Sequence, residues 1–196
     1  MANRKEITRD DIIPMEKYGP IRKQMRIDLR PMKKRRQVAL GPVATVTFEN
    51  YDTMFHQVHE MLFIERGGEE QIPDELEAYN PMIPKGRDLA ATVMFEIDDR
   101  AQRQAFLAKL GGVEETMFLR FAGEEIVGKP EEDVDRSTAD GKASSVQFVH
   151  FHFTDEQVEK FRQPGTEVTL GFTHPKYAHM TVLPEDTRTA LAEDFD

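Results

Sequence analysis

Residues 41–65 read Gly41-Pro42-Val43-Ala44-Thr45-Val46-Thr47-Phe48-Glu49-Asn50, then Tyr51-Asp52-Thr53-Met54-Phe55-His56-Gln57-Val58-His59-Glu60, then Met61-Leu62-Phe63-Ile64-Glu65. The first part alternates with period two, placing Ala44, Val46 and Phe48 on one face and Val43, Thr45 and Thr47 on the other, as a half-covered strand does. From Tyr51 the period changes. Phe55, Val58, Met61 and Leu62 make an apolar stripe at helical spacing, and His56, His59, Glu60 and Phe63 lie on the adjoining arc. Asn50 or Asp52, with Thr53 as a further candidate, caps that helix. A strand running through Glu49-Asn50 into an amphipathic helix predicts an α+β fold, and the junction holds the densest group of chemically capable side chains in the chain.

The same two periods recur on the C-terminal side. Leu89, Ala91, Val93, Phe95 and Ile97 line one face of a strand over 88–97, and Asp98 or Asp99 caps a helix ending before Gly111-Gly112. Residues 113–121 alternate again and turn at Ala122-Gly123. In 144–153, Gln147, Val149, Phe151 and Phe153 oppose Val146, Phe148, His150 and His152. Thr154 to Gln157 is a capping box for a short helix, Val168, Leu170 and Phe172 define another strand, and Pro184-Glu185-Asp186 opens a last helix. These elements predict an antiparallel or mixed curved sheet of about six strands with helices packed against it. One domain over 38–196 follows, with a polar loop at 129–142 of a length that marks functional loops.

Residues 1–37 form a basic N-terminal helical arm. They hold 12 Lys/Arg against 5 Asp/Glu, whereas the remaining residues hold 14 against 31, within a net charge of −10. An amphipathic helix is expected over Ile21–Leu29, stopping before Pro31. Arg22, Arg26, Lys33, Lys34, Arg35 and Arg36 are the candidates for phosphate or partner contact. A homo-oligomer or protein partner through the arm fits this charge. Nucleic acid fits less well, because the arm has no aromatic interleaving and the acidic body repels a long duplex.

With 39% apolar residues the chain lies in the globular class, without an apolar run of membrane-spanning length or a secretory leader, so no membrane partner is expected and the expected setting is cytoplasmic. The absence of cysteine removes disulfides, thiolate nucleophiles and cysteine-held metal centres. A divalent metal would be held by His and Glu. His56 and His59 are three apart on one helix, His150 and His152 share a strand face, and His179 follows His174 in a Pro-containing tract. The order His-x-x-His-Glu differs from the His-Glu-x-x-His of zinc proteases, so the helix pair needs further ligands from another element. No complete catalytic motif is present, and no residue is assigned a catalytic role.

The chain resembles the family of domain of unknown function 3501 along essentially its whole length. The resemblance rests on Ile7-Thr8-Arg9-Asp10-Asp11-Ile12, Gly41-Pro42, Phe48-Glu49-Asn50, Gln57 to Met61, Glu75 with Tyr79-Asn80-Pro81, Gly141-Lys142-Ala143-Ser144, and His174-Pro175 with Tyr177. It implies no activity. Its members' association with rubrerythrin-like and iron–sulfur reductase proteins implies a setting of oxidative stress or redox metabolism. The candidate ligand-binding residues are Glu49, Asn50, Gln57, Glu60, Glu75, Tyr79, Asn80, Lys142, Ser144, His174 and Tyr177. The leading expectation is an accessory ligand- or partner-binding protein. The alternatives are a metal-binding protein or enzyme in which Glu49, Gln57, Glu60, Tyr79, Lys142 and His174 converge on one polar pocket, with Glu49 and Glu60 as paired carboxylates, and a phosphate or nucleic-acid binder acting through the arm.

Overall fold

Alternation along the strands dictates two apolar sheet faces, and the computed structural model, which describes residues 4–131 and 142–196, stacks them against each other. The first sheet holds β1 (Gln37–Leu40), β2 (Ala44–Phe48), β3 (Asp88–Phe95), β7 (Val146–His152) and β6 (Lys129–Pro130), in the order β1-β2-β3-β7-β6. The second holds β5 (Glu124–Val127), β4 (Met117–Phe121), β8 (Val168–Phe172) and β9 (Met180–Val182), in the order β5-β4-β8-β9. Every pairing is antiparallel.

The inner faces carry the residues that the period-two pattern assigns to them. Ala44, Val46, Phe48, Leu89, Ala91, Val93, Phe95, Val149 and Phe151 of the first sheet meet Met117, Leu119, Phe121, Leu170 and Phe172 of the second. Burial of this face drives the stacking at about 25 cal/mol per Å² of apolar surface removed from water. The expected single curved sheet is therefore corrected to two open sheets, of five and four strands among the described residues. Period two tells which face of a strand is apolar but not which strand lies beside it, and β1, β6 and β9 are too short to announce themselves.

Among the described residues, α-helices pack against the sheets and against one another. Leu107 of α4 (Arg100–Leu107), Val158 and Phe161 of α5 (Asp155–Arg162) and Leu191 of α6 (Glu185–Ala192) join the inter-sheet core. Met54, Val58 and Leu62 of α2 (Tyr51–Glu65) and Ile72 of α3 (Ile72–Tyr79) form a second apolar cluster with Ile7, Met82, Ile83 and Ala90. Ala90 alternates away from the inter-sheet core, so α2 and α3 cover the outer face of the five-stranded sheet.

In the arm, α1 (Met15–Arg35) runs unbroken through Pro20 and Pro31, against the expectation of a helix ending before Pro31. Each proline forfeits one helical hydrogen bond. Both lie exposed, opposite the half-buried Met25 and Leu29, so the carbonyls they leave open are on the solvent side. The inner stripe Met15, Tyr18, Arg22, Met25, Leu29, Met32 and Arg36 steps by three and four, and it holds α1 along α2 with Tyr18 fully buried. Tertiary contact overrides the local penalty.

Candidate functional site

At the end of β2 the ladder runs one residue further, because Glu49 N–H donates to the Ala90 carbonyl at 2.8 Å. The chain then turns into α2. Asn50 Oδ1 accepts from Thr53 N–H at 3.0 Å, and Thr53 Oγ1 accepts from Asn50 N–H at 2.9 Å, a reciprocal cap. Arg36 braces the junction from the inner side. It donates through Nε to the Phe48 carbonyl at 3.0 Å, through Nη2 to the Glu49 carbonyl at 3.2 Å, through Nη1 to the Ala190 carbonyl at 3.1 Å, and it pairs with Asp194.

The Glu49 backbone is thus held from both sides, but its side chain is not. Glu49 is 5% exposed, and its sheltered Oε2 finds no donor among the described residues. Ala90 faces Glu49 across the ladder, His150 faces Ala90 on the other side, and Lys129 faces His150. All four belong to one row on the outer sheet face, and Ala90, between Glu49 and His150, is fully buried in the apolar cluster beneath α2 and α3. Neighbouring strands lie about 4.8 Å apart, so these two backbones stand about 10 Å apart. The next row carries Thr47, Thr92 and Phe148. His150 Nε2 meets Glu131 Oε2 at 2.5 Å, and the His150 and His152 rings lie parallel with centroids 6.2 Å apart.

Along α2 the candidate side chains turn to other duties. His59 is fully buried, and both ring nitrogens are engaged: Nδ1 with the Phe55 carbonyl at 2.6 Å and Nε2 with the Ile13 N–H at 2.9 Å. Because Nε2 accepts, Nδ1 carries the proton and the ring is neutral; burial lowers its pKa. His56 Nε2 is sheltered without a partner among the described residues, and burial lowers that pKa too. Glu60 accepts from Tyr18 Oη at 2.6 Å and from Arg22 Nε and Nη2 at 2.7 Å each. The Arg22 fork holds the Glu60 carboxyl down at about 2, and burial with the Glu60 bond raises the Tyr18 phenol. Gln57 is half-buried. Glu60 lies ten residues beyond the Asn50 cap, about 15 Å along the helix, and it faces α1, so the structure does not bring Glu49 and Glu60 into one pocket.

The remaining candidates hold the fold. Asn80 exchanges two hydrogen bonds with the Ile7 backbone, at 2.8 and 2.9 Å, and clamps the first described segment onto the helical layer. Glu75 is buried and accepts from Gln71, while Tyr79 packs on the α2–α3 apolar cluster. Tyr177, 2% exposed, donates to the Leu40 carbonyl at 2.7 Å and accepts from the Ala44 N–H at 3.0 Å, plugging the β1–β2 turn. Gly41 there has φ +71°, and a Cβ would strike the Tyr177 hydroxyl and the His179 ring. His179 packs on Tyr177, and His174 Nδ1 accepts from the Lys176 N–H at 3.2 Å. Ser144 Oγ accepts from the Val146 N–H at 3.2 Å, and Lys142 is exposed. Of the predicted polar loop, residues 132–141 lie outside the described residues.

The divalent-metal expectation is corrected. Among the described residues no three His, Cys, Asp or Glu side chains are arranged to hold a metal ion. His56 and His59 turn into the α1–α2 contact, His150 and His152 are on the sheet face, and His174 and His179 are in the turn beside Gly41. In the arm, Arg22 and Arg36 are engaged inside the molecule, whereas Arg26, Lys33, Lys34 and Arg35 are exposed. The Arg36–Asp194 clasp and the Tyr18 phenol escaped sequence reading; the three-four spacing of Tyr18, Arg22 and Arg36 with the apolar residues of α1 is the signal that locates all three inward. No described helix is long and apolar enough to cross a membrane.

No curated protein matches the chain. A crystal structure of a protein of unknown function from Burkholderia pseudomallei is similar, with a TM-score of 0.89, 35% identity, and coverage of 97% of this chain and 99% of that one. Residues 6–195 match the model of protein of unknown function DUF3501, and with that match the chain belongs to the DUF3501 family.

Proposed function

We propose that this chain is an accessory binding protein whose ligand meets Glu49 on the outer face of the five-stranded sheet. The observation that carries the reading is the unmet, sheltered Glu49 Oε2. A buried acceptor without a donor costs about 1–3 kcal/mol, more when it is charged, and a ligand that brings an N–H relieves that cost. The ligand class is a small organic ammonium, guanidinium or amide. Thr47 and Thr92 hydroxyls, the Phe148 ring and the His150 imidazole share the face and supply further polar and apolar contacts.

The test is thermal unfolding of the wild-type chain and of Glu49→Gln against a panel of such compounds. A ligand at about 100 times its Kd stabilises by about 2.7 kcal/mol, which moves Tm by about 5–10 °C for a chain of this size. The substitution keeps the shape and removes the charge, so the shift should vanish in the variant. A panel that moves neither protein, or both equally, removes the assignment.

A further inference from the structure

The cations of α1 divide into two sets. Arg22 and Arg36 turn inward to Glu60 and to the β2 junction. Lys23, Arg26, Arg30, Lys33 and Lys34 are all exposed, and none of their side chains makes an ion pair or hydrogen bond with a described residue. Steps of three, four and three residues from Lys23 to Lys33 bring them to one side of the helix, over about 15 Å of its length. Glu16 lies one heptad before Lys23 on the same side, and Asp28 is turned away toward Gln24, which donates to it at 2.7 Å. On the α2 side the stripe borders Glu60, already paired, and His56, whose pKa Lys33 helps to lower.

We infer that this stripe is a docking face for an acidic helical segment of another protein. Three observations select that occupant. Carboxylates at i, i+3 and i+7 on a partner helix repeat with the same rise as the cations, so a helix laid along α1 meets every rung, whereas flexible polyanions have no such match. Ile27, 42% exposed, stands beside the stripe as an apolar contact for such a helix. The aromatic residue of α1, Tyr18, is buried, which leaves the helix without a ring for base stacking, and its outward side carries Pro20 and Pro31 instead of the broad apolar face that a helix lying in a lipid surface needs. This inference is independent of the Glu49 site.

Fluorescence anisotropy of the full chain tests it, with a labelled helix-forming peptide of about three heptads carrying Glu on one face and one Leu per heptad. A single-stranded oligonucleotide of equal charge and vesicles of phosphatidylserine with phosphatidylcholine are the competing probes. The peptide should bind at about 50 mM salt and weaken steeply by about 200 mM. The double substitution Arg26→Glu with Arg30→Glu should cost at least about tenfold in affinity. Lys109→Glu with Lys176→Glu, equal in charge change and also exposed, should leave affinity within about twofold. Circular dichroism melting checks the fold; should the reversal unfold the arm, Lys23→Ala with Lys33→Ala gives the same reading with smaller loss. No peptide binding at low salt, equal loss in the control pair, or tighter binding of oligonucleotide or vesicle would each overturn the inference.

Discussion

Glu60→Gln is the most direct probe of how the arm is held to the body. The Glu60 carboxyl, with 13% of its side chain exposed, titrates at about 2 instead of its ordinary 4.5 because Arg22 forks onto both oxygens and Tyr18 donates to one. Its pKa is lowered on folding, so its contribution is complete above about 4.5 and is lost as pH falls through about 2. A shift of this size corresponds to about 3 kcal/mol at pH 7, and to about 1.4 kcal/mol at pH 3, where the unfolded carboxyl is already neutral. Arg22 is one-third exposed, and solvent screening trims the neutral-pH figure to about 2 kcal/mol. Glutamine keeps one acceptor for Tyr18 and removes the charge. Urea unfolding at both pH values should give a gap of about 2 kcal/mol between the two proteins at pH 7, narrowing by about half at pH 3. A gap that is absent at pH 7, or equally wide at pH 3, refutes the assignment of this ion pair as the tie between α1 and α2.

Asn80→Ala removes both bonds to the Ile7 backbone; a cost of about 1–3 kcal/mol and faster amide exchange at Ile7 are expected. Tyr177→Phe leaves the Ala44 N–H and the Leu40 carbonyl without their shared hydroxyl, which should lower stability by about 1–3 kcal/mol in urea unfolding while leaving any Glu49-dependent ligand shift intact. Asp194 behaves oppositely to Glu60: burial pushes its carboxyl up to about 6 despite Arg36. Its contribution is complete below its ordinary 3.8 and is lost as pH rises through about 6. The side-chain carboxyl carbon resonance should inflect near pH 6, and an inflection near 4 would contradict the burial described.

Much of this architecture is legible in the chain because one face of each long strand is apolar and one is not. Leu89, Ala91, Val93 and Phe95 can be placed in the core from period two alone, and Thr154 announces its helix through a cap that the side chains can form only there. Three things resist such reading. Sheet membership depends on pairings between distant residues, such as Leu119 with Leu170, which leave no local trace. Proline penalties are local, while the contacts that offset them in α1 come from α2. Histidine is ambiguous by chemistry: the same imidazole serves as a ligand or as a buried donor and acceptor, and for His59 the deciding partner, the Ile13 amide, lies 46 residues away.

The contrast between Arg36 and Glu49 gives the site its meaning. One guanidinium satisfies the Phe48 and Glu49 carbonyls, reaches Ala190 in α6 and pairs with Asp194, all within a space that excludes water. Together with the Ala90 ladder bond and the Asn50 cap, this leaves the junction backbone no slack to relax an unmet polar group. Natural folds leave few buried polar atoms unmet, since each one costs stability. A carboxylate oxygen without a donor among the described residues, on a backbone fixed at this many points, combines rigid support with an unsatisfied acceptor, as the proposed binding of a donor-bearing ligand requires.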